Sequence, residues 1–242
     1  MKPMWLILTI AVCSVTVLAA PVPKLKKKDY GPVTEEQKDI VKKRFKELML
    51  GLHLYNDTYS TLPTDSFDKE GKPLLSWRVH LLPSMNQFEL YEKFKLDEPW
   101  DSKHNLGLSK GLPDIYAPVR VETDELGYTF VQGFSGDDTV FSSNRKKPKL
   151  SVQKIRDGSS NTVGLIEAAT PVLWSKPGDI PFDPKKDLPE LGGQLDGDFH
   201  IAWCDGSVRF VSAKKLNTKE FKKAITANGR EVFDEKETFG KD

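Results

Sequence analysis

The sequence has little cysteine and little histidine, and both shortages restrict the chemistry that it can support. Its 242 residues include two cysteines, Cys13 and Cys204, and four histidines. Cys13 lies in an N-terminal segment predicted to be removed, which leaves Cys204 without an intramolecular disulfide partner. The strand-like run around Cys204 favours a buried structural thiol over a nucleophile. A chain of this length can instead be stabilised by a hydrophobic core.

Motifs for catalysis and for metal binding are also missing. The sequence contains no His-Glu-x-x-His, no Cys-x-x-Cys, no Gly-x-Ser-x-Gly and no glycine-rich phosphate loop. His53, His80, His104 and His200 do not pair at ligand spacing, and His53, His80 and His200 are expected to be satisfied, partly buried side chains. We therefore predict no cofactor, no transition-metal site and no catalytic residues, and we favour a non-enzymatic role.

Charge of one sign is not in excess. Lysine and arginine total 36 and aspartate and glutamate total 35, which gives a formal net charge of +1. Removal of the N-terminal segment would remove Lys2 and leave equal numbers of both signs. A nucleic-acid-binding protein normally carries a concentrated excess of basic residues, so no nucleic-acid partner is predicted.

No apolar run is as long as the roughly 20 residues that a membrane-spanning helix needs. The longest, Trp5–Leu18, follows Lys2 and ends at the small residues Ala19 and Ala20. This pattern predicts a signal peptide over residues 1–20, and hence export to a periplasmic or extracellular location. Pro21 is unfavourable directly after a cleavage site, so an uncleaved membrane anchor is the alternative.

The remaining chain is predicted to form one α+β domain over residues 34–228. It follows a linker rich in proline and lysine over 21–33 and precedes a flexible tail over 229–242. Thr34 and Gln37 have the spacing of a capping box at the start of a helix. Apolar residues then recur at steps of three and four, which predicts a long amphipathic helix packed on a sheet; they are Val41, Phe45, Leu48, Leu52, Tyr55 and Tyr59.

Short strands are expected to follow, with an antiparallel hairpin near the C-terminal end. Asp205-Gly206 separates the runs Phe199–Cys204 and Ser207–Ser212, and an Asp-Gly pair favours a type I′ turn. The other strand candidates are Leu74–Leu82, Ile115–Val121, Gly127–Val131 and Thr162–Glu167. Helical spacing is found over Gln87–Leu96 and Lys219–Ile225.

One cluster of aromatic and polar residues is a candidate recognition surface, formed by Trp77, His80, Trp100, Asp101 and His104. Indole faces beside carboxylate and imidazole groups can hold sugar rings or peptide aromatics. The alternative is a polar-aromatic loop packed onto the domain, because tryptophan is usually buried.

Two pairs of aspartates offer oxygen ligands of the kind that calcium prefers. Asp137 and Asp138 follow a glycine, and Asp196 and Asp198 flank one. Neither pair has the complete spacing of a known calcium loop, and ordinary turns are the alternative.

The segment LLSWRVHLLPSMNQFELYEKFKLDEPWDSKHN, residues 74–105, resembles the bacterial family called domain of unknown function 1559. Further matching segments are LGLHLYNDTYSTLP at 50–63, IRDGSSNTVGLIEAA at 155–169, WSKPGDIPFDP at 174–184 and AWCDGSVRFV at 202–211. Many members carry a prepilin-type His-x9-Asp-Gly processing-associated region. The resemblance implies a pseudopilin-like fold, in which a long N-terminal helix packs on an antiparallel sheet with loop elaborations.

Two departures limit what the resemblance implies. The prepilin leader motif, Gly-Phe-Thr-Leu-Ile/Val-Glu, is missing. Asp205 and Gly206 match the family's turn motif, but the position of its histidine holds Leu195. Any function of that histidine is therefore not expected here.

These observations predict an uncharacterised exported domain with a structural or binding role at the cell envelope. Its partner would be an envelope protein or a polysaccharide, and membrane contact is expected only if the N-terminal segment is uncleaved. The alternative is an extracytoplasmic hydrolase that acts through a carboxylate pair, with polysaccharide as its substrate.

Overall fold

The computed structural model describes residues 24–26, 31–123, 127–142, 146–231 and 233–240. The predicted signal peptide and most of the predicted linker lie outside the described residues, so export and the domain boundaries remain predictions. Within the described ranges, no helix combines the length and the apolar character needed to cross a membrane.

The long helix α1, Glu35–Tyr59, forms where the periodicity predicts it. The Thr34 hydroxyl accepts a hydrogen bond from the Gln37 backbone N–H at 3.2 Å, and the Gln37 side chain accepts one from the Thr34 N–H at 3.1 Å. This capping box satisfies two of the N–H groups that a helix start leaves unpaired. The helix ends at Ser60, which is left-handed with φ 59°.

In chain order the strands are β1 (Leu25–Lys26), β2 (Glu122–Thr123), β3 (Tyr128–Gln132), β4 (Phe134–Ser135), β5 (Val163–Leu173), β6 (Ile180–Pro181), β7 (Phe199–Trp203) and β8 (Val208–Val211). Four of them form an antiparallel sheet in the order β3, β5, β7, β8. Short pairs join β1 with β2 and β4 with β6. The remaining helices are α2 (Trp77–His80), α3 (Phe88–Tyr91), α4 (Lys103–Ser109), α5 (Thr218–Phe221) and α6 (Glu235–Phe239). The fold class is α+β, as predicted.

The sheet is covered on both faces. Strand β7 alternates between two hydrophobic clusters, because successive side chains of a strand point to opposite faces. Ala202 belongs to the cluster that includes Phe45 of α1, whereas Phe199 and Ile201 belong to the cluster that includes Phe221 of α5. Cys204 follows β7 and is a free, buried thiol, as predicted.

The chain after residue 228 contributes to the second cluster, in contrast to the predicted flexible tail. Helix α6 ends in the buried Phe239. The ring centroids of Phe233 and Phe239 lie 5.2 Å and 6.3 Å from that of Trp203 in β7. Phe233 and Phe239 are two aromatic residues in a mostly charged segment, and such a pattern gives little indication of packing. Their burial depends on the sheet face that they cover.

Two strand predictions are wrong. Leu74–Leu82 contains α2, which begins after Ser76, whose hydroxyl accepts a hydrogen bond from the Arg78 N–H at 3.3 Å. A short apolar run does not distinguish a strand from a helix that is buried on all sides, and Trp77 and Val79 are both fully buried. Residues 115–121 likewise include a 3₁₀ turn, Asp114–Tyr116, in place of a strand.

The C-terminal hairpin is confirmed, but its turn is of another type. The Trp203 N–H donates to the Ser207 carbonyl at 2.9 Å, and the Gly206 N–H donates to the Trp203 carbonyl at 2.9 Å. Gly206 is the loop residue with a positive φ, at 90°. This is a three-residue loop that ends in a left-handed glycine, whereas a type I′ turn would require two successive residues with positive φ.

Candidate functional site

A pocket of about 470 Å3 lies between the C-terminal half of α1, the segment 64–67, the end of α2 and the segments on either side of residues 143–145. Its size is within the range of small-molecule sites. Among the described residues, the carboxylates, imidazole and ammonium groups that line it are those of Asp65, His80, Asp137, Asp138, Lys147 and Lys149. Tyr55 and Phe67 contribute aromatic surface.

Asp65 is held in the pocket wall by two backbone donors. One carboxylate oxygen accepts the Trp77 N–H at 2.8 Å, and the other accepts the Gly178 N–H at 3.1 Å. Burial, together with the nearby charge of Asp179, raises the pKa of the Asp65 carboxyl to about 7. The folded environment therefore favours the protonated form of this carboxyl more than water does.

Behind Asp65 lies a buried ion pair between Arg78 of α2 and Asp179. Arg78 Nη2 is 2.6 Å from Asp179 Oδ1, and both side chains are almost completely buried. Arg78 Nε also donates to the Val131 carbonyl at 2.9 Å, and Asp179 accepts the Gly133 N–H at 2.9 Å. The pair thus ties α2 to β3 and to the segment before β6, which holds this wall of the pocket in place.

His80 lines the pocket from the end of α2. Burial, assisted by the positive charge of Lys149, lowers the pKa of the imidazole to about 4, so His80 is neutral at physiological pH. Within the described ranges, its buried Nε2 has no hydrogen-bond partner. His80 was expected to be satisfied, and so was His53, whose Nε2 also has no partner in the described part of the chain.

The charges at the pocket rim are largely compensated. Lys147 Nζ lies 2.7 Å from Asp138 Oδ1 and donates to the Asp137 carbonyl at 2.9 Å. Lys149 adds a second ammonium group to the lining. Carboxylates and ammonium groups are therefore mixed in this pocket.

The structure brings only one member of the predicted recognition cluster, His80, to this pocket. Trp77 is fully buried, its indole stacks on Phe141 with ring centroids 4.5 Å apart, and its Nε1 donates to Asp179 at 2.9 Å. Its faces are therefore not available to a ligand.

The other three members lie outside the pocket lining. Trp100 is half-buried, and Lys176 Nζ lies 4.9 Å from its ring centroid. Asp101 is exposed, and the exposed His104 has its Nε2 2.7 Å from the Lys93 carbonyl. These contacts agree with the alternative interpretation, in which this segment is a polar-aromatic loop packed onto the domain.

The two aspartate pairs have different surroundings. Asp137 and Asp138 line the pocket, whereas Asp196 pairs with Arg120 at 2.9 Å and Asp198 accepts the Ala213 N–H at 3.1 Å. Within the described ranges, no group of three or more His, Cys, Asp or Glu side chains is placed to hold a metal ion.

His200 belongs to a separate buried network. Glu167 accepts hydrogen bonds from the His200 N–H at 2.7 Å and from Gln194 Nε2 at 2.5 Å, and its Oε2 lies 2.8 Å from His200 Nδ1. All three side chains are buried, and none of them lines the pocket. His200 is thus a satisfied core histidine, as predicted.

Sequence reasoning missed Asp65, Arg78 and Asp179. Asp65 stands in a turn-rich segment, and Asp179 follows Pro177 and Gly178 in a long loop. Loops of this composition are rich in aspartate for reasons of turn formation alone. Their roles depend on contacts across roughly a hundred residues, for which local spacing contains no signal.

In a comparison with known proteins, one third of the chain matches a family model. Residues 42–121 match the family model described as "Protein of unknown function (DUF1559)". This match supports the resemblance inferred from the sequence. The matched segment runs from within α1 to the residue before β2, and it contains Tyr55, Asp65, Phe67 and His80 of the pocket. No curated protein and no solved structure matches the chain.

Proposed function

We propose that this chain is an exported, pilin-related domain with a binding role at the cell envelope, and that the pocket around Asp65 and His80 is its binding site. The observation that carries the proposal is the pocket itself. It has the volume of a small-molecule site, and it combines aromatic surface with the neutral imidazole of His80.

The export part of the proposal is supported by the sequence of residues 1–20, with one basic residue, an apolar run and small residues at its end. Fusion of the first 33 residues to a reporter that is active only after export tests it. Reporter activity is expected, and Leu8→Arg with Val12→Arg should abolish it. A fusion that is produced but shows no reporter activity would contradict export.

The pilin-related part is supported by the long helix α1 packed on an antiparallel sheet and by the family match over residues 42–121. At Asp205 and Gly206 the family motif lacks its histidine, because Leu195 stands at that position. We therefore assign these two residues to the hairpin turn and not to a reaction. The proposed role is therefore binding, without a reaction at this turn.

One observation favours the hydrolase alternative. Asp65, Asp137 and Asp138 line the same pocket, and a carboxyl whose pKa is raised to about 7 suits a general acid. Aryl glycosides that release a coloured phenol separate the two functions. We expect binding without turnover, and turnover that Asp65→Asn abolishes would favour the hydrolase.

Binding at the pocket is tested with the full chain by a small-molecule screen that measures thermal stabilisation and ligand-detected NMR. Hits are expected to lose affinity about tenfold or more in His80→Gln and to keep it in His104→Gln, because His104 is exposed and lies outside the pocket lining. Equal affinity of all hits for both variants would contradict the proposed site.

A further inference from the structure

The nature of the charges in the pocket limits which ligands it can hold. Three carboxylates and two ammonium groups occur among the described lining residues, and one of each forms the Asp138–Lys147 ion pair. Asp137 and Lys149 carry opposite charges in the same lining. Asp65 is the remaining charge, and it lies in the pocket wall next to Asp179 with its own oxygens occupied by two N–H donors.

An ionic ligand would meet an unfavourable partner in either orientation. An anion that approached Lys147 would also approach the carboxylate of Asp138, and a cation that approached Asp138 would also approach the ammonium group of Lys147. The described lining contains no cluster of a single sign of the kind that recognises phosphate or carboxylate groups. The pocket therefore disfavours ligands with a net charge.

The uncharged part of the lining suits a molecule with both apolar and hydroxyl surface. Tyr55, Phe67, Val140 and Leu150 provide apolar walls. Carboxylate oxygens accept hydrogen bonds, and the neutral imidazole of His80 offers a nitrogen that can accept or donate according to its tautomer. Sugar rings present such a combination, with C–H faces for aromatic contact and hydroxyl groups around the edge.

We propose that the pocket binds an uncharged, hydroxyl-rich ligand of the carbohydrate class, with His80 as a direct hydrogen-bond partner and Tyr55 and Phe67 in contact with the ring. This inference rests on the proposed function, since it names the ligand class of the same pocket.

The test uses the full chain and ligand series that share one ring and differ only in charge. Glucose, glucuronic acid and glucosamine form one series, and galactose, galacturonic acid and galactosamine form a second. Disaccharides of the neutral sugars extend both. Binding is followed by protein-observed NMR, with the imidazole signals of His80 and His104 assigned through the variants His80→Gln and His104→Gln.

We expect at least one neutral sugar to shift the His80 signal and to bind at least tenfold more tightly than its acidic and amino counterparts. His80→Gln should weaken that binding about tenfold, whereas His104→Gln, which retains the pocket, should leave it unchanged. NMR signal dispersion of each variant verifies that it is folded.

Three outcomes would overturn the inference. The first is that charged counterparts bind at the pocket as tightly as the neutral sugars. The second is that the pocket binders from the small-molecule screen are all charged or all lack hydroxyl groups. Either outcome would leave the proposed function intact and refute the carbohydrate class. Failure of every sugar and every screened compound to shift pocket signals would refute the proposed function and the inference together.

Discussion

Arg78 is the residue whose substitution should affect the folded domain most. Its guanidinium group is completely buried and pairs with Asp179, which in turn accepts hydrogen bonds from Trp77 Nε1 and the Gly133 N–H. Breaking one side of a buried pair leaves an uncompensated charge in the protein interior.

We expect Arg78→Met to lower the free energy of unfolding by about 3–5 kcal/mol, measured by urea denaturation. The double variant with Asp179→Asn should lose less than the sum of the single variants, since neither charge then remains unpaired. Lys95→Met is the matched control, because its pairing with Glu98 is solvent-exposed and should contribute little to the free energy of unfolding. A loss for Arg78→Met as small as that of the control would contradict the role assigned to the pair.

His80 should make the domain less stable in acid. Its pKa is about 4 in the folded protein and near 6.5 when unfolded, so the unfolded state binds the extra proton between these values. Its contribution to the free energy of unfolding therefore falls as the pH falls from about 6.5 to about 4, with a slope of up to about 1.4 kcal/mol per pH unit.

Urea denaturation at pH 7.5 and pH 5 tests this expectation. His80→Gln should lose less stability between the two pH values than the unsubstituted chain does. The exposed His104 serves as the control, and His104→Gln should retain the original difference. Identical pH dependence of His80→Gln and the unsubstituted chain would show that His80 titrates normally.

Asp65 should act in the opposite direction. Burial and the charge of Asp179 raise its pKa to about 7, so the folded state binds a proton that the unfolded state releases above about pH 4. Its contribution to the free energy of unfolding falls as the pH rises from about 4 to about 7. Asp65→Asn removes this pH dependence. The variant should therefore lose more free energy of unfolding between pH 7.5 and pH 5 than the unsubstituted chain does, because the contribution of His80 is then no longer offset. A variant with unchanged pH dependence would contradict the raised pKa.

At the scale of single elements, the hairpin of β7 and β8 depends on one left-handed residue. Gly206 has φ 90° and closes the three-residue loop, and a residue with a Cβ is strained there although the space around it is open. Gly206→Ala should therefore lower the free energy of unfolding by about 1–2 kcal/mol.

Gly107 provides a matched control for this substitution. It lies inside α4, where an added Cβ meets no atom within 4 Å and φ is not positive. Gly107→Ala should raise the free energy of unfolding by about 0.5–1 kcal/mol, because alanine favours the helix. Equal effects of the two substitutions would indicate that the turn does not require a left-handed residue.

At the scale of the whole molecule, the C-terminal residues complete the second core cluster. Phe239 is 6% exposed and packs with Phe221 and Trp203 on the sheet face opposite α1. Phe239→Ala should lower the free energy of unfolding by about 3 kcal/mol or more, measured by urea denaturation. Phe88→Ala is the control, since Phe88 is 56% exposed and its removal leaves no cavity. A small effect at Phe239 would restore the prediction of a flexible tail.

The sequence by itself determined the features that depend on neighbouring residues. The capping box at Thr34 and Gln37, the apolar stripe of α1 and the hairpin around Gly206 are local patterns, and each defines an element through backbone geometry and the burial of one face. From these elements the α+β class follows, because a long amphipathic helix must cover something apolar and a sheet is the available partner.

Only the tertiary structure decided where the pocket lies and which residues are in it. Asp65, His80 and Lys149 come from three segments separated along the chain, and the pKa values of Asp65 and His80 depend on burial and on charges that only the folded chain brings near. The same holds for Trp77. The sequence allowed either a binding surface or a packed loop at this residue, and the fold buries it in the core. Proximity between distant segments is a property of the assembled fold, and local spacing contains no record of it.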